Sequence, residues 1–158
     1  MIYESSYWKD DLLKLADKLE RRIAQRRWGE KNFYSLEKDI FLGFYSVRKL
    51  IESYKISDSL KNKSYKIREF PYSGQPESIS TNVEAGSYDL SKGREVSITI
   101  AQLCNQFIHS HHFHPFFIPG GKYLVGFFFC SDHKRTTCIY LITIFDVVEI
   151  YWTVRSSR

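Results

Sequence analysis

Seven apolar residues at helical spacing dominate the reading of this chain. Phe33, Leu36, Ile40, Phe44, Val47, Ile51 and Tyr54 recur at intervals of three and four, so all fall on one stripe of a helix. Trp8, Leu12, Leu15, Leu19 and Ile23 repeat the pattern just before it. Each stripe must be buried against something, and the short connection around Gly29 makes the other stripe the nearest partner. The spacing predicts an antiparallel helical hairpin with helices over 6–28 and 33–55. Ser5 or Ser6 would cap the first, Gly29 would stop it, and Asn32 would cap the second. Gly43 interrupts the second stripe, where it would let a neighbour come close.

The remainder is mixed. Residues 57–94 carry Pro71, Pro76 and many Ser and Gly, so they read as an irregular connection. Alternation over 64–70 suggests an edge strand there, and 73–93 reads as loop, or as strand and turn pieces over a helical platform. A third helix is expected over 95–113, ended by Pro115, which drives His114 toward an extended conformation. Pro119, Gly120 and Gly121 make a turn. Residues 123–130 and 136–143 are β-branched and aromatic, with turn chemistry between them, and predict a C-terminal β-hairpin. Residues 145–155 fit a terminal helix, with Phe145, Val148 and Trp152 on one side, or a third strand. The expected class is therefore α+β. A single domain over 1–158 would divide into a helical hairpin (1–56), a connection (57–94), a third helix (95–113) and a hairpin with a terminal element (121–158).

Bulk chemistry narrows the partners. The net charge of +5 leans toward an anionic partner, and the balance is most basic in 14–31, with seven Lys or Arg against three Asp or Glu. Arg22 and Arg26 in that stretch are nucleic-acid-binding candidates; the competing reading is a solvated helix face. Three cysteines, Cys104, Cys130 and Cys138, do not make a secreted disulfide scaffold, and reduced thiols suit a cytoplasmic setting. The opening residues do not read as a secretory signal, and the most apolar late stretch contains Asp146 and Glu149, so no membrane partner is expected.

On the expected third helix, Gln102, Asn105, His109 and His112 fall at i, i+3, i+7 and i+10 and form one polar line. Ile100, Leu103, Cys104, Phe107 and Ile108 occupy the other side. Asn105 and His109 lie one turn apart, where an amide can orient an imidazole for acid–base work near neutral pH. Cys104 and His109 diverge by roughly 140° around a helix, so a thiol–imidazole nucleophile is not built here. His109, His112, His133 and Cys130 are metal-ligand types, but no Cys-x-x-Cys and no His-x-x-x-His pair accompanies them. Neither a metal nor another cofactor is expected.

Asn105-x-x-x-His109, late in a helical region, resembles the second half of the Arg-Asn-x-x-x-His motif of HEPN proteins. The residue before Asn105 here is Cys104, where that family has Arg. The resemblance implies a helical module contacting RNA or nucleotide, related to the metal-independent ribonucleases of toxin–antitoxin and phage-defence systems. It makes His109 the acid–base group and Asn105 its orienter. Arg48 or Lys49 on the second helix would then replace the missing arginine at the phosphate. Arg48 also shares a stripe with Glu37, and a bridge between those two is its structural reading. A second function remains open: a protein-binding immunity, antitoxin or anti-defence factor using the aromatic run Phe127, Phe128 and Phe129 and the edge strands. A homodimer closing the sheet would satisfy the same feature.

Overall fold

The computed structural model describes residues 2–74, 87–118 and 120–157. The loop expected over 73–93 lies outside the described residues for 75–86, as does Pro119 of the expected turn. The chain is α+β, with elements α1 (Ser5–Ile23), α2 (Glu30–Glu52), a short α3 (Asp58–Lys61), β1 (Ser64–Pro71), β2 (Arg94–Thr99), α4 (Ile100–Ile108), β3 (Ser110–Phe117), β4 (Leu124–Ser131), β5 (Cys138–Thr143) and α5 (Ile144–Ser156).

The two helices form an antiparallel hairpin, but their stripes are not buried chiefly on each other: α1 packs mainly on α5 and α2 on α4, and Phe33 at the head of the second stripe is exposed. Leu12, Ala16 and Leu19 of α1 and Leu36, Ile40, Phe44, Val47 and Leu50 of α2 are fully buried. The two helices run antiparallel: the backbone N–H of Ile2 donates to Ser53 Oγ at 3.0 Å, and Lys18 meets Asp39 at 3.1 Å. Their ends differ from expectation. Glu4, not Ser5 or Ser6, caps α1 by accepting from the Ser6 N–H. That helix stops at Ile23, because Gln25 turns the chain: its N–H bonds Arg22 and its amide donates to the Arg27 carbonyl. Gly29 does not close α1 but caps α2, with its N–H donating to Asn32 Oδ1 at 2.9 Å. At the far end Tyr54 takes φ 57°, the N–H of Lys55 reaches back to the Leu50 carbonyl, and Tyr54 leaves the stripe for solvent.

Among the described residues, five strands form one antiparallel sheet in the order β2-β1-β5-β4-β3. The expected edge strand, β1, is therefore internal, flanked by β2 and β5. The edges are β2 and β3, where the sequence predicts helix instead. Both arise from the expected third helix, which is helical only over Ile100–Ile108. Its start is fixed by Thr99 and Gln102: the threonine hydroxyl accepts from the Gln102 N–H at 3.1 Å, and the glutamine amide accepts from the Thr99 N–H at 2.9 Å. This box closes the helix against residues 94–99, whose alternating Val96 and Ile98 join β1. After His109, the strand leading into Pro115 pairs with β4 from Ser110 onward.

Side-chain alternation makes the sheet apolar on both faces. Ile67, Phe127, Phe129, Tyr140 and Ile142 face the helices. Phe70, Phe128, Cys130 and Ile139 lie on the opposite face, under Tyr88 with Leu90 beside it. Phe127, Phe128 and Phe129 are thus interior, and the aromatic hairpin is not a surface. The terminal element is a helix, begun by Thr143 capping Asp146. Its buried side is Ile144, Val147, Val148, Ile150, Tyr151 and Val154, while Phe145 and Trp152 of the expected apolar side are exposed.

Two close contacts tie the layers. Phe107 of α4 stacks on Phe44 of α2 at 4.2 Å and on Phe129 of β4 at 4.4 Å, forming a continuous aromatic column from helix to sheet. Tyr151 of α5 crosses α2 at Gly43 and donates its hydroxyl to the Ile40 carbonyl at 2.8 Å. A Cβ at Gly43 would stand 2.1 Å from the Tyr151 ring. Gly43→Ala should therefore destabilise the fold by about 1–3 kcal/mol, although alanine favours a helix interior by ~1 kcal/mol. A lowered urea midpoint, partly restored by Tyr151→Leu in the same chain, is the expected result; an unchanged or raised midpoint would show the approach is not tight.

Candidate functional site

Three regions hold the chemistry-bearing side chains. The first contains the residues named from the sequence. α2 packs along α4, and Arg48 Nη1 donates to Asn105 Oδ1, while its Nε donates to Glu52 at 2.8 Å. Arg48 therefore bridges to Glu52, not to Glu37. Lys49 also pairs with Glu52, at 3.3 Å, and lies 5.6 Å from the Tyr45 ring. The carboxylate offsets part of the charge these two bases would offer a phosphate. His109 is the C-cap of α4, is exposed, and receives no bond from Arg48. Gln102 is occupied by the capping box, and His112 lies on β3 beneath Tyr88, at 5.7 Å between rings. The polar line is thus divided between a helix, its cap and a strand.

The second region is the histidine run of β3. His112 Nδ1 and His114 Nε2 stand 3.2 Å apart, and His111 lies 3.6 Å from Asp132. Burial, with the neighbouring His112 adding to it, lowers the His114 pKa to about 4. Cys104 lies within the core, and burial pushes its thiol up to about 12, which makes it inert as a nucleophile. All three cysteines are buried. Among the described residues no group of three or more His, Cys, Asp or Glu side chains is placed to hold a metal ion. Likewise, no described helix is long and apolar enough to cross a membrane.

The third region was only half visible in the sequence. A cleft of about 460 Å3 opens between the α1–α2 connection and the β3–β4 loop, lined by Arg26, Arg27, Trp28, Phe33, Phe117, Gly121 and Lys122. Trp28, Phe33 and Phe117 form an aromatic triad with ring centroids 5.3–5.9 Å apart. The Trp28 ring is held by its Nε1–H donating to the Gln25 carbonyl at 3.2 Å, and Arg22 lies 5.8 Å from it. Arg26 lies over Tyr123 at 3.3 Å and donates to the Ala24 carbonyl at 2.6 Å. Among the described residues the lining carries three cations and no carboxylate.

Of the expected nucleic-acid residues, Arg26 lines this cleft and Arg22 supports its tryptophan. Lys49 lies sixteen residues along α2 from Phe33, or roughly 24 Å at 1.5 Å per residue. Arg27, Trp28, Phe33, Phe117 and Lys122 are not among the residues that the sequence marks for a site, and Phe33 counts there only as part of a buried stripe. The adjacent Arg26, Arg27 and Trp28 were a local signal of basic and aromatic interleaving. Phe117 and Lys122 come from the other end of the chain and gave none.

No protein-family model, no curated protein and no solved structure matches the chain.

The depressed His114 pKa has a stability consequence. The unfolded imidazole takes up its proton near the ordinary value of 6.5, the folded one only near 4. The unfolded state binds more protons between those values, so stability is fully present above pH ~6.5 and falls as the pH drops toward 4. The loss should be about 1–2 kcal/mol, given the partial exposure of the ring. Urea unfolding between pH 7 and 4.5 should show it, and His114→Gln should flatten the slope; parallel pH profiles for the two proteins would remove His114 as the cause.

Proposed function

We propose that this protein is a module that contacts single-stranded RNA or nucleotide through the Trp28 cleft. One observation carries the reading: an open aromatic triad ringed by Arg26, Arg27 and Lys122, with no acid among the described residues of the lining. Stacking on aromatic faces and a cationic edge are the two contributions that bind single strands without base pairing. Stacking on one ring contributes ~1–3 kcal/mol per base, and three phosphate contacts give a salt slope of about −2 on a logarithmic scale. Arg26 supports the expectation made from the basic stretch, and Arg22 contributes by bracing Trp28.

A short fluorescein-labelled single-stranded RNA should bind with that salt dependence in an anisotropy titration. Arg26→Ala with Lys122→Ala should weaken it by at least tenfold, and Trp28→Leu should weaken it with the salt slope retained. Binding that none of these changes affects, or no binding at low salt, would end the proposal.

A second reading keeps a residual ribonuclease, in the defence or toxin–antitoxin setting that the HEPN resemblance implies. It is favoured by the Arg48–Asn105 bond one turn before His109, where the second helix supplies an arginine that the motif lacks. Under this reading, cleavage of total RNA is lost in His109→Ala and in Arg48→Ala while RNA binding at the Trp28 cleft persists. Equal degradation by the parent and both variants would remove it.

A further inference from the structure

The Trp28 cleft does not end at its aromatic wall. Phe33 and Phe117 also line a second cleft of about 390 Å3, completed by Glu37, Phe113, His114 and Pro115. The double groove thus runs between the first turns of α2 and the edge strand β3, with two aromatic rings common to both halves. Its combined size falls in the ~300–1,000 Å3 range of small-ligand sites.

The two halves differ in charge. The first holds three cations. The second holds, among the described residues, a single carboxylate, Glu37, which has no ion-pair partner among them; Arg48, eleven residues along the same helix and so roughly 16 Å away, is out of reach. His114, the other titratable group in the second half, is neutral at physiological pH because burial disfavours its charged form. An occupant must therefore be anionic at one end, flat and apolar in the middle, and rich in N–H donors at the other.

We propose that the double cleft binds a guanine nucleotide, free or within single-stranded RNA. Its phosphate lies on Arg26, Arg27 and Lys122, its base lies against Phe117 and Phe113, and its N1–H and N2–H2 donate to the Glu37 carboxylate. The inference rests on the reading of the first cleft as a nucleotide site and adds its base preference. Among the four RNA bases only guanine offers two adjacent N–H donors on its pairing edge, matching the two oxygens of a carboxylate. Adenine places the N1 lone pair beside its amino group, and cytosine places the N3 lone pair there. Uracil flanks one N–H with two carbonyls. Each of these turns at least one acceptor toward Glu37, leaving it unpaired and repelled.

Calorimetric titration of the full chain with GMP, IMP, AMP and inorganic phosphate separates the claims. GMP should bind at least tenfold tighter than AMP, and IMP, which lacks the N2 amino group, should fall between them. Glu37→Gln should bring GMP and AMP to within about threefold of each other while fluorescein-labelled single-stranded RNA still binds. Equal affinities for GMP and AMP in the parent chain would overturn the guanine preference and leave the RNA reading standing. Inorganic phosphate binding as tightly as GMP would overturn it as well, since the base would then contribute nothing. Discrimination that survives Glu37→Gln would overturn the role of Glu37. Loss of both RNA and GMP binding from the parent would remove the underlying reading together with the inference.

Discussion

The position of Phe107 governs the rest of the molecule. Its ring is stacked on both sides, by Phe44 from the helical hairpin and by Phe129 from the sheet. A flat side chain held between two others fixes α4 at one height and one rotation, because any tilt opens a gap too narrow for water. On the neighbouring side Tyr151 presses into the space left by Gly43 and binds the Ile40 carbonyl. With α4 and α5 so held over the sheet, α2 has no freedom to slide, and both the Arg48–Asn105 contact and the Phe33–Phe117 wall follow from its register.

The helical hairpin was legible because its information is local and periodic. Leu36, Ile40, Phe44 and Val47 recur at a helix's period, and the interior they imply is the one they occupy. The segment 94–117 was misread because its periods compete. Gln102, Asn105, His109 and His112 lie at helical spacing, yet Val96 and Ile98 alternate as a strand does. Thr99 with Gln102 supplied the deciding signal, a capping box that starts a helix at residue 100 and excludes what precedes it. At the other end, pairing with the largely buried β4 supplied stabilisation that local propensity could not reveal.

The candidate site divides in the same way. Arg26 stood out by charge, and the adjacent Trp28 gave a hint of stacking. The remaining walls belong to residues about ninety positions later, Phe117 and Lys122, which the antiparallel return of β3 and β4 brings to the α1–α2 connection. Glu37 was visible only as a partner for Arg48. It stands unpaired at a cleft because Arg48, roughly 16 Å along the same helix, cannot reach it and pairs with Glu52 one turn away instead.

The sequence by itself determined the periodic parts of this protein: the two helical stripes, the glycine that admits a close neighbour, the turn-linked final strands and a basic balance. Periodicity and turn chemistry act over a few residues, so a linear reading recovers them. Tertiary structure decided which strands stand at the edges, where the histidines go, and which aromatic rings meet the arginines. Those outcomes depend on pairing and burial between segments far apart in the chain, whose energies exceed the local preferences they override.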